Sequence, residues 1–139
     1  MVGIVRGQSI RINASNINPA DPNLPPDPCR VRLAFMDADG TVLTNPRTGE
    51  AVGRTVTLQR GQSTFLHLDA DEFFIGDTTA ARLELRPVFR SVSLVSNAQS
   101  PPDPCVPSVE VIDNATSKTS FVYAGTPTFV DPPEPDRQQ

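Results

Sequence analysis

The chain has 139 residues, with 16 acidic against 12 basic side chains, a net charge of −4, and 37% apolar residues. That length suits one domain around one core, and no run of about 18 apolar residues is present to cross a bilayer as a helix. All the basic residues except Lys118 are arginine, and no basic stripe or aromatic-plus-basic cluster stands out in the linear sequence, so nucleic acid is not an expected partner.

The opening residues MVGIVRGQSIRIN lack a basic segment followed by an apolar one, so no secretory signal is visible in this numbering. Proline is 15 of 139 residues, about twice the usual share, yet the apolar segments between the prolines alternate too regularly for a disordered chain.

Taken in chain order, the pattern is one of short strands. After Ile4 and Val5, Ile10 and Ile12 alternate with Arg11 and Asn13, and Val31, Leu33 and Phe35 alternate with Arg30 and Arg32. Asp37-Ala38-Asp39-Gly40 predicts a tight turn from which Thr41 to Leu43 returns as a hairpin strand. Residues 45–53 form a polar loop. Thr55 to Leu58 and Thr64 to Leu68 make two further strands around Arg60-Gly61-Gln62-Ser63. Asp69 to Thr79 lacks alternation and reads as a loop or single helical turn that tucks Phe73, Phe74 or Ile75 under the sheets.

Leu83, Leu85 and Phe89 alternate with charged residues in a strand expected to bend or end near Pro87, because proline cannot donate to a ladder; Ser91 to Val95 continues it or returns. Val109 and Val111 share a strand face, residues 114–118 turn, Phe121 and Tyr123 return, and Thr128 to Val130 adds a last short strand. Eight to ten strands at this spacing predict an all-β fold, a single antiparallel sandwich over residues 1–130 with an extended proline-rich tail over 131–139. The sandwich is expected to be immunoglobulin-like or jelly-roll-like. The likeness to immunoglobulin and fibronectin sandwiches is one of pattern only, since the chain has no Trp.

Two phrases recur. Pro25-Pro26-Asp27-Pro28-Cys29 returns as Pro101-Pro102-Asp103-Pro104-Cys105, and Arg6-Gly7-Gln8-Ser9 returns as Arg60-Gly61-Gln62-Ser63. Each cysteine is followed eight residues later by an aspartate that opens a turn, Asp37 and Asp113. This suggests two related halves, but the two phrases lie 19 residues apart the first time and 41 the second. Independent arrival at the same local solution is the preferred reading.

Each PPDP segment stiffens the chain and supplies few backbone donors before a cysteine of core-facing parity, so it reads as a strand-entry device. Cys29 and Cys105 are expected to form a disulfide if the protein leaves the cell, closing a loop worth about 4 kcal/mol on the chain-entropy model; in a reducing cytosol they would be two buried thiols.

Asp37 with Asp39, and Asp69 with Asp71, are weak calcium candidates. Neither pair completes an EF-hand loop, and solvated turns are the simpler expectation. His67 beside Asp69 falls short of a triad, and no G-x-S-x-G, phosphate-loop or H-E-x-x-H pattern is present, so neither an enzyme nor a cofactor is expected. Asn13 and Asn114 fit the N-glycosylation pattern, which matters only in a secreted eukaryotic protein.

The functional expectation is a structural subunit, an extracellular filament or virion-surface protein that assembles with copies of itself or onto another structural protein. Its apolar end segments, Val2, Ile4 and Val5 at one end and Phe129 and Val130 at the other, would add to a neighbour's sheet edge. The alternative is a module that binds carbohydrate or a protein ligand on a loop or sheet face, a reading weakened by the scarcity of exposed aromatics.

Overall fold

Alternation along the chain resolves into eight strands in two four-stranded antiparallel sheets packed face to face. The computed structural model describes residues 1–74, 82–94 and 104–124. Within these, β1 is Val2–Ile4, β2 Gln8–Asn16, β3 Cys29–Met36, β4 Gly53–Leu58, β5 Ser63–Asp69, β6 Leu83–Ser93, β7 Cys105–Asp113 and β8 Lys118–Ala124, and a single 3-10 turn covers Ala70–Glu72. Sheet 1 has the order β1-β6-β3-β4 and sheet 2 the order β5-β2-β7-β8. In the immunoglobulin arrangement the first two strands are neighbours in one sheet; here they lie in different sheets.

Period-two alternation turns one face of each strand inward. Ile10, Ile12 and Ala14 of β2 and Val109 and Val111 of β7 belong to the same buried cluster as Val31, Leu33 and Phe35 of β3 and Leu85 of β6. Ile4, Cys29, Leu58, Leu66, Leu68, Ala70, Phe74 and Cys105 complete it. Phe74, with Phe73 partly buried beside it, is the aromatic that the 3-10 turn tucks under the sheets. Ile75, the tail and the expected strand at Thr128 to Val130 lie outside the described residues.

One local expectation is corrected and another is narrowed. The hairpin at Asp37 forms, with Asp37 N–H donating to Thr41 O at 2.9 Å and Gly40 at φ 84°, but its return is reduced to isolated bridges, Met36 with Val42 and Thr44 with Ala51. The ladder partner of β3 on that side is instead β4. Nor does β6 end at Pro87; it runs on to Ser93. Pro87 lies opposite Phe35, whose N–H donates to Val52 O and whose carbonyl accepts from Leu43 N–H. Phe35 thus makes its backbone bonds on the β4 side, so its pair with Pro87 is a non-hydrogen-bonded one. The proline nitrogen faces the opposite side, where β1 reaches only as far as Leu85.

The strand order has an internal symmetry. Replacing β1, β6, β3 and β4 by β5, β2, β7 and β8 converts sheet 1 into sheet 2. Each half of the chain gives three strands to one sheet and sends its second strand to the other. Cys29 and Cys105 open the equivalent strands β3 and β7, facing Ser93 and Asn16 at the ends of the exchanged strands. Leu94 N–H donates to Pro28 O at 3.0 Å, and Ile17 N–H donates to Pro104 O at 3.0 Å.

Candidate functional site

Three regions carry the residues that the sequence singles out: the disulfide end, the open side formed by β1 and β8, and the outer face of sheet 2. At the first, the Cys29–Cys105 disulfide joins the two sheets, its Cα atoms 6.4 Å apart and both residues fully buried. Asn16, 3% exposed, organises this end. Its Nδ2 donates to Asp27 O at 2.8 Å and Leu58 O at 3.3 Å, and its carbonyl accepts from Gly61 N–H. Asn18 Nδ2 donates to the buried Asp27 carboxylate at 2.6 Å. The aspartate of the first PPDPC is therefore held in place by two asparagines that the sequence reading passed over. Asn-x-Asn directly before a proline-rich loop was the available signal.

The RGQS phrase is a crossover turn. Val5 N–H donates to Gln8 Oε1 at 2.9 Å while Gln8 N–H donates to Val5 O at 3.0 Å; Gln59 and Gln62 repeat both bonds at 2.8 and 3.0 Å. The central glycines, Gly7 at φ 82° and Gly61 at φ 78°, adopt the conformation a type II turn requires. Both copies pass the chain from sheet 1 to sheet 2, from β1 to β2 and from β4 to β5. These connections are not equivalent under the strand symmetry.

At the open side, Val2 and Ile4, expected to be available to a neighbour, pair within the chain: Val2 faces Leu85 and Ile4 faces Leu83. Ile4 is wholly buried and belongs to the core cluster. Val5 stays 40% exposed, and the outer edge of β1 has no strand partner among the described residues. A cleft of about 340 Å³ is lined by Met1, Val2 and Gly3 together with Gln8, Val111 and Ser120, between β1 and the β7–β8 side of sheet 2. Phe129 and Val130 lie outside the described residues.

On the outer face of sheet 2, Arg11 lies over the Phe65 ring at 4.4 Å, and its Nε donates to His67 Nδ1 at 3.4 Å. Asn13 Nδ2 donates to Glu110 Oε2 at 2.9 Å, and Thr119 Oγ1 donates to Glu110 Oε1 at 2.8 Å. Those two bonds, with Arg11 assisting, hold the Glu110 carboxyl below its ordinary 4.5. Partial burial, then Arg11, lowers His67 from 6.5. No family model, curated protein or solved structure matches the chain. Geometry alone therefore has to carry the functional argument.

His67 and Asp69 do not form a pair, since Asp69 Oδ1 accepts from Asp71 N–H and Asn114 Nδ2. The other calcium candidates are likewise engaged with backbone: Asp37 Oδ1 accepts from Asp39 and Thr41 N–H, and Asp71 Oδ1 accepts from Gly7 N–H at 2.8 Å. Among the described residues no three acidic, histidine or cysteine side chains converge as metal ligands. Of the two glycosylation-pattern asparagines, Asn13 has its Nδ2 committed to Glu110 and Ser108, and Asn114 is bonded to Ser9 and Asp69.

Proposed function

We propose that the protein is a structural subunit that assembles with copies of itself, or onto a larger extracellular or virion-surface structure, through its sheet edges. The observation that carries this reading is the cleft beside β1, a strand edge with no partner among the described residues above a partly apolar slot of about 340 Å³. An extended segment can add to that edge by backbone hydrogen bonds while alternate side chains enter the slot. The segment Thr128 to Val130 of a neighbouring copy has the apolar character to do so. The disulfide fits an oxidising compartment.

Removing residues 1–6 would be a poor test, because it takes Ile4 out of the core. Truncation after residue 124 is cleaner, followed by electron microscopy and light scattering. Loss of assembly with an intact disulfide supports strand addition by the tail, whereas a full-length protein that stays monomeric over a wide concentration range refutes self-assembly.

A second reading, a carbohydrate- or protein-binding face on sheet 2, is favoured by Phe65, which is 46% exposed beside hydrogen-bonding side chains. Arg11 already occupies one face of that ring. A sugar could stack only on the other, so this reading ranks second.

A further inference from the structure

The outer face of sheet 1 breaks a rule that sheet 2 keeps. Arg32 on β3 and Arg90 on β6 stand directly opposite one another, with Arg30 and Arg86 on the same face. All four are exposed. Like charges in cross-strand register are destabilising. The symmetry-related positions in sheet 2 hold Ser108 opposite Asn13, joined by a hydrogen bond of 3.3 Å. Arg11, the arginine on that other face, is answered by Glu110 directly across from it.

On sheet 1, by contrast, among the described residues Arg32 donates only to Thr55 Oγ1 and Arg86 reaches Met36 Sδ, while Glu84, on the same face two residues before Arg86, is paired with Arg82. Val92, 62% exposed, sits opposite Arg30 within the patch. Arginine is enriched in protein interfaces, where its guanidinium pairs with carboxylates.

We propose that this arginine face receives the acidic turn end of a second copy of the chain. The assignment rests on charge complementarity and refines the self-assembly reading above. Taking the four arginines from the twelve basic residues leaves eight against 16 acids, so the rest of the molecule is strongly negative. That charge gathers where the turns after β3, β5 and β7 meet: Asp37, Asp39, Glu50, Asp69, Asp71, Glu72 and Asp113, against Arg6, Arg47, Arg82 and Lys118. Arg6 is already committed to Phe74, over its ring and on its carbonyl.

The acidic end is preorganised. Asp71 accepts from Gly7 N–H, Asp69 from Asn114 Nδ2, and Glu72 from Asn45 Nδ2 at 2.8 Å, so four separate loops are tied together. Little entropy remains to be lost on docking. A face on one copy that receives the end of the next is a heterologous contact, which propagates into a ring or an open filament.

The test is sedimentation velocity on the full-length, disulfide-intact protein at ~20 mM and ~0.5 M NaCl, where screening lengths differ several-fold. The expected result is association at low salt that weakens at least tenfold at high salt. It is lost in R32E/R90E and in D39K/E72K and recovered when the two variants are mixed. Far-UV circular dichroism and R32Q/R90Q check that any loss is not unfolding.

Association of R32E/R90E as tight as that of the unsubstituted protein overturns this face and leaves the edge reading standing. A protein that is monomeric under all conditions overturns both. Binding of dextran sulfate or a single-stranded oligonucleotide by a monomeric protein likewise overturns the proposal, by assigning the arginines to a different polyanion.

Discussion

Breaking the Cys29–Cys105 disulfide should cost about 4 kcal/mol, a large share of the 5–15 kcal/mol typical of a domain. The bond closes a span of 76 residues, more than half of the chain, and the chain-entropy model gives that amount for a loop of this size. Both cysteines are fully buried at the first positions of inner strands, so Cys29→Ala/Cys105→Ala also loses the packing of two sulfur atoms. Reduction alone isolates the cross-link more cleanly. Guanidinium unfolding of oxidised, reduced and doubly substituted protein should give midpoints in that descending order. Melting temperatures should fall by roughly 15 °C, taking about 4 °C for each kcal/mol at this size. Denaturant slopes should rise slightly once the unfolded chain is free to expand. A loss under about 1 kcal/mol on reduction, or alkylation of the native cysteines without any reductant, would refute the reasoning.

Gln62→Ala removes the side-chain acceptor from Gln59 N–H and should cost about 1 kcal/mol by chemical denaturation, with Gln8→Ala costing a similar amount at its own turn. Ser117 holds φ at 61° in the β7–β8 turn, so Ser117→Gly should leave stability unchanged or raise it by up to about 1 kcal/mol, where most turn substitutions lower it. Phe35→Ala empties a fully buried site and should cost about 3–5 kcal/mol. Stability should also fall on acidification in two stages. His67 has its folded pKa below 6.5, so the unfolded chain takes up the proton first as pH drops below that value; Glu110, depressed below 4.5, loses its contribution as pH falls from there through its lowered folded value. Denaturation midpoints against pH should show the upper stage missing in His67→Gln and the lower one missing in Glu110→Gln.

The parity of Cys29 with Val31, Leu33 and Phe35 was legible because a strand has only two faces, and one of them was plainly apolar. The pairing of β3 with β6, some fifty residues later, was not, because register is decided by tertiary contact rather than local pattern. Whether the strand ends or runs on at Pro87 was open in the sequence for the same reason: whether a proline interrupts a ladder depends on which neighbour its nitrogen would face. Arg30, Arg32 and the arginines of β6 were each visible as an outer strand face, yet the basic patch exists only after β3 and β6 are laid side by side. The acidic end likewise draws on three turns that are distant in sequence. The β1 segment was read correctly as apolar, but composition could not say whether Ile4 would enter its own core or a neighbour's.

The two repeated phrases separate once the strand order is known. The Pro-Cys pairs Pro28-Cys29 and Pro104-Cys105 and the aspartate eight residues beyond each cysteine occupy positions that the strand exchange interconverts, and the Leu94 and Ile17 bonds to Pro28 and Pro104 repeat with them. RGQS recurs at non-equivalent crossings, where the same positive-φ glycine and glutamine close the turn, so its recurrence does not follow the strand exchange. Unequal spacing, which told against a duplication while both phrases were weighed together, loses its force when only PPDPC is counted. The unequal lengths now fall in particular connections: 16 residues join β3 to β4 but only four join β7 to β8. The strand exchange also sets off Arg32 and Arg90: the equivalent positions in sheet 2 hold a neutral hydrogen-bonded pair, Asn13 with Ser108, whereas sheet 1 holds a cross-strand like-charge pair that an acidic partner would relieve.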